Sequence, residues 1–308
     1  MPSRFSRLLT AAASLAVTLI AVFGSQNAAA FEPAPWTKLL PAPLGFTPTN
    51  ATLCQNGSIT CVDDTMSQLQ AQLDPLVATC DHELMFNFVY LRITQAYRDV
   101  ATVPGYFHNA PYVNQEDAVF ASYYLSQYNA WNSGRPQDVS PAWRIAFDAA
   151  DHQRVSGLGD IFLAINAHIM HDEAFVLDQM GLGYPDGVSA KGDYDHDNVW
   201  LSAAQTSTIT EVARRFDPTV TQPVILTQPP FSTLEYQLIA AWREAAWRYA
   251  EQLKLAEAAH KALLYRAVQA EIDAVSVANA NAILLATANS PQQTAARNAY
   301  CQAHRHDA

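Results

Sequence analysis

The chain has 308 residues, 15 % charged and 50 % hydrophobic, which excludes a disordered, collagen-like or highly charged coiled-coil protein. Acids outnumber bases 29 to 18. The positive field that nucleic acid or anionic lipid needs is therefore missing, and neither is expected as a partner.

Residues 1–30 read as a signal peptide. Arg4 and Arg7 precede an apolar stretch from Leu8 to Phe23, and Ala28, Ala29 and Ala30 offer a small-residue cleavage site. Cleavage there leaves 278 residues with 16 basic and 29 acidic side chains, a net charge of −13 with His neutral. No later run of 18 or more apolar residues follows, so no transmembrane segment is expected, and the location is secreted or periplasmic. Residues 31–62 form a proline-rich arm (Pro33, Pro35, Pro41, Pro43, Pro48) followed by the short loop between Cys54 and Cys61. In an oxidising compartment the four cysteines suggest two disulfides. Pairing Cys54 with Cys61 leaves Cys80 for Cys301, although spacing alone does not choose among the three pairings.

Residues 63–308 read as one all-α domain, a helical bundle or orthogonal array. Asp63 and Asp64 are candidate caps for a helix to about Val77, and Asp81 for one over about His82 to Val100. Val103 to Asn114, with Pro104, Gly105 and Pro111, reads as a loop. Gln115 to about Asn132 and Pro141 to about Val155 fit two more helices. Asp160 to Met180 is the most informative helix, stopped by Gly181 and Gly183. Gly181 to Asp197 reads as a polar loop, and Asp217 to Pro230 as a four-proline connection, a packed crossing more than a lid. Phe231 to about Ala288 is helical in pattern, with a turn expected near Ala258–His260 or Ala278–Asn281. On that stretch His260 fits an apolar stripe, and Arg243 is expected to stack on Trp247.

Asp160 to Met180 is apolar on nearly all sides, so it belongs in the centre of the domain. Its buried polar residues then need partners. At 100° per residue His168 and Asp172 lie one turn apart on one face, where imidazole and carboxylate can reach one metal ion. They can equally form a hydrogen-bonded core pair. His171 adds a ligand on another flank. Other segments offer Glu83, Asp117 and Asp193.

The string Asn166-Ala167-His168-Ile169-Met170-His171-Asp172 resembles an N-A-H-I-x-x-D motif of an uncharacterised, mostly bacterial helical family. Phe88 to Thr94, Asp117 to Ala121, Asp193-Tyr194 with Asn198, and Trp242 to Trp247 resemble further pieces in the same order. The resemblance implies an all-helical fold and points to Asp117, Asn166, His168, Asp172, Asp193 and Asn198. It implies no activity. A fainter similarity is to the zinc-dependent phospholipase C and P1-type nuclease group, secreted helical enzymes with H-x-x-x-D on a buried helix.

The expected function is therefore a secreted metal-dependent hydrolase acting on a small phosphoester or lipid head group. His168, Asp172 and Asp117 would hold a divalent ion, zinc before manganese or iron, with His171 and Glu83 in reserve. Asp193 would act as general base, while Asn166 and Asn198 orient the substrate. The alternative is a non-catalytic secreted helical binding protein whose His/Asp cluster is a core network.

Overall fold

A computed structural model describes residues 51–221 and 234–307. The expected signal peptide, the proline arm up to Asn50 and most of the four-proline connection lie outside the described residues. Among these residues every regular element is helical, and the only bridge contacts are isolated ones, Val155 with Ala288 and Gly183 with Ser189. The all-α expectation is met.

Ser58 accepts the Thr60 N–H and starts α1 (Ile59–Thr79), earlier than the Asp63–Asp64 cap anticipated. Cys80, in the left-handed conformation at φ 58°, ends it. Then α2 (Leu84–Ala101) runs back beside α1. The segment expected as a loop to Asn114 becomes helical sooner, because α3 (Ala110–Asn132) begins with Asn109 capping Tyr112 and Pro111 in its first turn. After α4 (Pro141–Asp151), the central rod comprises α5 (Gly157–Ile165), a π-helical segment (Asn166–Asp172) and α6 (Glu173–Met180). Next come α7 (Lys191–Arg215), α8 (Leu234–Ala258), α9 (Ala262–Thr287) and α10 (Pro291–His304).

The expected polar loop ends at Ala190, and residues 191–197 are the start of α7. Ser189 Oγ accepts the Lys191 N–H at 3.2 Å, and Asp193 in the first turn suits the positive end of the helix. The hairpin between α8 and α9 falls at the first of the two expected places. There His260 sits exposed at φ 53° instead of on a core stripe.

Every residue of α5 is buried, as expected of a helix apolar all round. The rod packs against α2, α3, α4, α8 and α9. Two glycines allow that approach. A Cβ on Gly157 would collide with Met85 and Asp217, and one on Gly159 with Thr287 and Val155.

Disulfides join Cys54 to Cys61 and Cys80 to Cys301. The second closes a separation of 221 residues and fastens α10 to the α1–α2 corner. Beside it the buried Arg297 donates to Asp160 Oδ2 at 2.6 Å and lies 2.7 Å from His82 Nδ1. Because loop closure grows with loop length, replacing both Cys80 and Cys301 by Ser should lower unfolding free energy by about 2–4 kcal/mol. The Cys54/Cys61 double replacement should cost less. Urea unfolding of the two variants side by side checks the order.

Candidate functional site

A cavity with about 160 Å3 of water-accessible space lies between the rod, α2, α3, α7 and α8. That is room for on the order of five to ten waters, or an organic molecule of about as many heavy atoms. Each helix reaches it with residues three or four apart, the spacing of a single helical face. Val113, Glu116, Asp117 and Phe120 come from α3, and Asp197, Trp200, Leu201, Gln205 and Thr208 from α7. The rod supplies Ile161, Ile165, His168, Ile169 and Glu173. Most of the lining is aliphatic or aromatic. Against it stand four carboxyl groups, Glu116, Asp117, Glu173 and Asp197, and one guanidinium, Arg243.

Arg243 does not rest on Trp247. Its guanidinium lies 4.0 Å over the Tyr194 ring and donates to Glu173 Oε1 at 2.7 Å and to the Tyr194 carbonyl at 2.8 Å. Asp197 Oδ2 is 3.4 Å away. Burial works against the charge of Arg243, yet Glu173, Tyr194 and Asp197 together raise its pKa above the ordinary arginine range. Both acids remain costly to ionise. Burial lifts Glu173 to about 7 despite Arg243, and Asp197 to about 6 despite Arg243 and Trp200. Glu116 and Asp117 lie on the facing helix. Burial and the charge of Asp197 raise Asp117 to about 8, and burial with Asp197 and Glu173 raises Glu116 well above the usual carboxyl range.

His168 sits at the rod side of the cavity inside an aromatic box. Phe120 stacks on it at 3.6 Å, Tyr90 meets it at 4.6 Å and Phe86 at 5.6 Å. Burial lowers its pKa and Asp172 offsets this only in part, so the ring is neutral at physiological pH. Neither ring nitrogen has a hydrogen-bond partner.

The π turn explains why. Asn166–Asp172 hydrogen-bonds i→i+5, which changes the angular step assumed for an α-helix. His168 Nδ1 ends 3.9 Å from Asp172 Oδ2, beyond hydrogen-bond reach. Asp172 is occupied elsewhere: Trp143 Nε1 donates to Oδ2 at 2.7 Å, and His171 Nδ1 is 2.7 Å from Oδ1. His171 Nε2 also meets Asp273 Oδ1 at 3.0 Å. Burial alone would lower His171, but these two carboxylates raise it to about 9. The result is a buried imidazolium–carboxylate pair.

The residues singled out from sequence therefore separate. His168 and Asp117 share the cavity. Asp172 and His171 pair on another flank of the rod. Glu83 lines a different void of about 20 Å3, bonded to Asn132 and raised to about 8 by burial and Asp81. Asp193 accepts the His108 and Asn109 N–H groups and the Tyr184 hydroxyl, fastening the start of α3 to α7. Asn166 donates to the Ser276 carbonyl. Asn198 accepts the Tyr236 hydroxyl. Among the described residues, no three His, Cys, Asp or Glu side chains gather in an arrangement that could hold a metal ion. The cavity instead recruits Glu173, Asp197, Gln205 and Arg243. Their signal in the sequence is a polar side chain inside an otherwise apolar helical stripe.

Several buried polar atoms of residues that line the cavity have no partner: Asp117 Oδ2, Glu173 Oε2, Arg243 Nε, and both amide atoms of the buried Gln205. Buried polar atoms left unpaired cost roughly 1–3 kcal/mol each, so a ligand or water is called for. The pH sign follows from the raised carboxyl values. Between about pH 4 and 8 the folded state binds more protons at Asp117 than the unfolded chain does. This contribution therefore falls as pH rises through that window. Asp117→Asn should stabilise the protein by about 1–2 kcal/mol at pH 8 and leave it nearly unchanged at pH 4. Urea unfolding at both pH values checks this.

A model described as a family of unknown function, DUF5995, covers residues 62–286, a span that holds every residue lining the cavity. No curated protein and no solved structure matches. The chain belongs to the DUF5995 family of unknown function.

Proposed function

We propose that the protein takes up a small, mostly apolar molecule in the central cavity and holds its polar end at the carboxyl cluster. The observation that carries this reading is the set of unpartnered, buried polar atoms on residues that line an otherwise aliphatic and aromatic space. Packing alone does not account for them, since a core network would pair them with one another. Export is part of the proposal, supported by the signal-like start and two disulfides. Phosphoesters fit less well than neutral or cationic molecules, because a phosphate would meet four acids and a guanidinium already engaged.

Three matched probes test uptake: phenethyl alcohol, phenethylamine and phenylacetate. At about ten times its Kd, a bound probe should add about 1.4 kcal/mol of stability, seen as a higher Tm and as saturable heat in calorimetry. Ile169→Phe, which narrows the cavity, should abolish that binding while circular dichroism shows the helices retained. If none of the three binds saturably to the unaltered protein, the reading fails.

Hydrolysis is a second reading, favoured by one observation: two carboxyl groups of the same cavity have pKa values of about 6 and about 8. Between those values Asp197 is mostly ionised and can take a proton from water, while Asp117 still carries one to give to a leaving group. Turnover of p-nitrophenyl acetate should then follow a bell with limbs near pH 6 and pH 8. Asp197→Asn should remove activity outright, and so should Asp117→Asn. A metal-dependent version of this chemistry would show as activity lost to EDTA and restored by zinc. A rate equal to buffer alone at every pH ends the hydrolytic reading.

A further inference from the structure

Chemistry favours one class of occupant for the cavity. Four carboxyl groups line it from three sides: Glu116 and Asp117 on α3, Glu173 at the start of α6, Asp197 on α7. Arg243 is the one cationic side chain in the lining, and it is bound to Glu173 and close to Asp197. No arginine or lysine of the lining is left for Glu116 and Asp117. A second, independent observation points to a ligand. Glu173, His168 and Gln205 are each more than nine-tenths buried, line the cavity, and carry polar atoms with no partner. Glu173 Oε2 and Asp117 Oδ2 can only accept when ionised, and a neutral imidazole has one accepting nitrogen. These acceptors call for a donor, while the Gln205 amide nitrogen and Arg243 Nε call for an acceptor. Tyr90, Phe120 and Trp200 also line the cavity, and aromatic rings attract cations.

Resting on the cavity reading above, we infer that the ligand is a small organic amine, an ammonium head on an aromatic or aliphatic body, with the head among Glu116, Asp117 and Glu173. The ammonium supplies the positive charge that the carboxyl cluster lacks and donates to the orphaned oxygens. Its body fills the apolar remainder, and head and body together have room for about five to ten heavy atoms.

The remaining titratable groups of the lining do not compete. Tyr90, Tyr97 and Tyr236 are raised above the ordinary phenol range, chiefly by burial, and stay neutral. Burial keeps His168 uncharged. Without ligand, Asp117 holds its proton up to about pH 8, and burial raises Glu116 well above the usual carboxyl range. A bound ammonium stabilises the ionised forms, so binding at pH 7 must expel a proton from this pair of acids.

Calorimetry with phenethylamine, phenethyl alcohol and phenylacetate decides the matter. Phenethylamine should bind about tenfold tighter than the isosteric alcohol at pH 7, and phenylacetate least of all. The heat of amine binding should depend on the ionisation enthalpy of the buffer, reporting about one proton released. Amine affinity should rise at least about tenfold from pH 6 to pH 8, while alcohol affinity stays level or falls. Asp117→Asn and Glu116→Gln should each cut the preference for amine over alcohol several-fold. If the alcohol or phenylacetate binds and the amine binds no better, the amine assignment is overturned while the cavity reading stands. If none of the three binds, both fall together.

Discussion

Arg243 cannot be buried without anions around it, and the way this need is met organises the molecule. Glu173 comes from the central rod, Asp197 and the Tyr194 carbonyl from α7, and the guanidinium from α8. One desolvated charge thereby ties three elements that are far apart in sequence. Removing the guanidinium would leave two acids buried without a counter-charge, a much larger loss than that of an exposed ion pair. The same cation serves two acids and leaves none for the other pair. Burial, with the charge of Asp197, keeps the protons on Glu116 and Asp117, and the cavity holds carboxylic acids and carboxylates together at neutral pH.

The π segment divides the polar groups of the rod between structure and cavity. Asn166 turns to α9 and donates to Ser276. Asp172 is saturated by Trp143 and His171, and through His171 it reaches Asp273 on the same helix. Those groups pin the rod in place. His168 and Glu173, on the cavity side, retain unpaired atoms. Widened turns of this kind are found disproportionately at functional sites, and here the widening leaves His168 unbonded to the carboxylate four residues on. A regular α-helix would have offered a stable pair. The molecule instead carries an unmet chemical need in its interior, while the Cys80–Cys301 disulfide and the Arg297–Asp160 bond hold the fold together.

Much of this architecture is legible along the chain. Apolar positions recurring at three and four residues define α2, the rod and α9, because helical period and burial are both local properties of side-chain order. The all-round apolar character of Asp160 to Met180 requires a central position, and the structure buries that segment. Helix starts were harder to place. Asn109 with Pro111 outweighs the loop-like composition before α3, and tertiary packing carries α7 through Gly192 and the aspartate run. His260 has the neighbours of a core residue in sequence but falls at the hairpin between α8 and α9.

The sequence alone determined the helical class, the cysteines available for pairing and the one segment that must sit at the centre, since each depends on composition or on neighbours within a turn or two. Tertiary structure decided which acids face one another. Glu116, Asp117, Glu173 and Asp197 are up to 81 positions apart, and in sequence all but Glu173, which lies on the central helix, look like ordinary caps or solvated carboxylates. Only folding removes water from all four at once and puts Arg243 beside two of them. Desolvation and charge pairing are properties of that shared space, so the chemistry of the cavity exists nowhere in the unfolded chain.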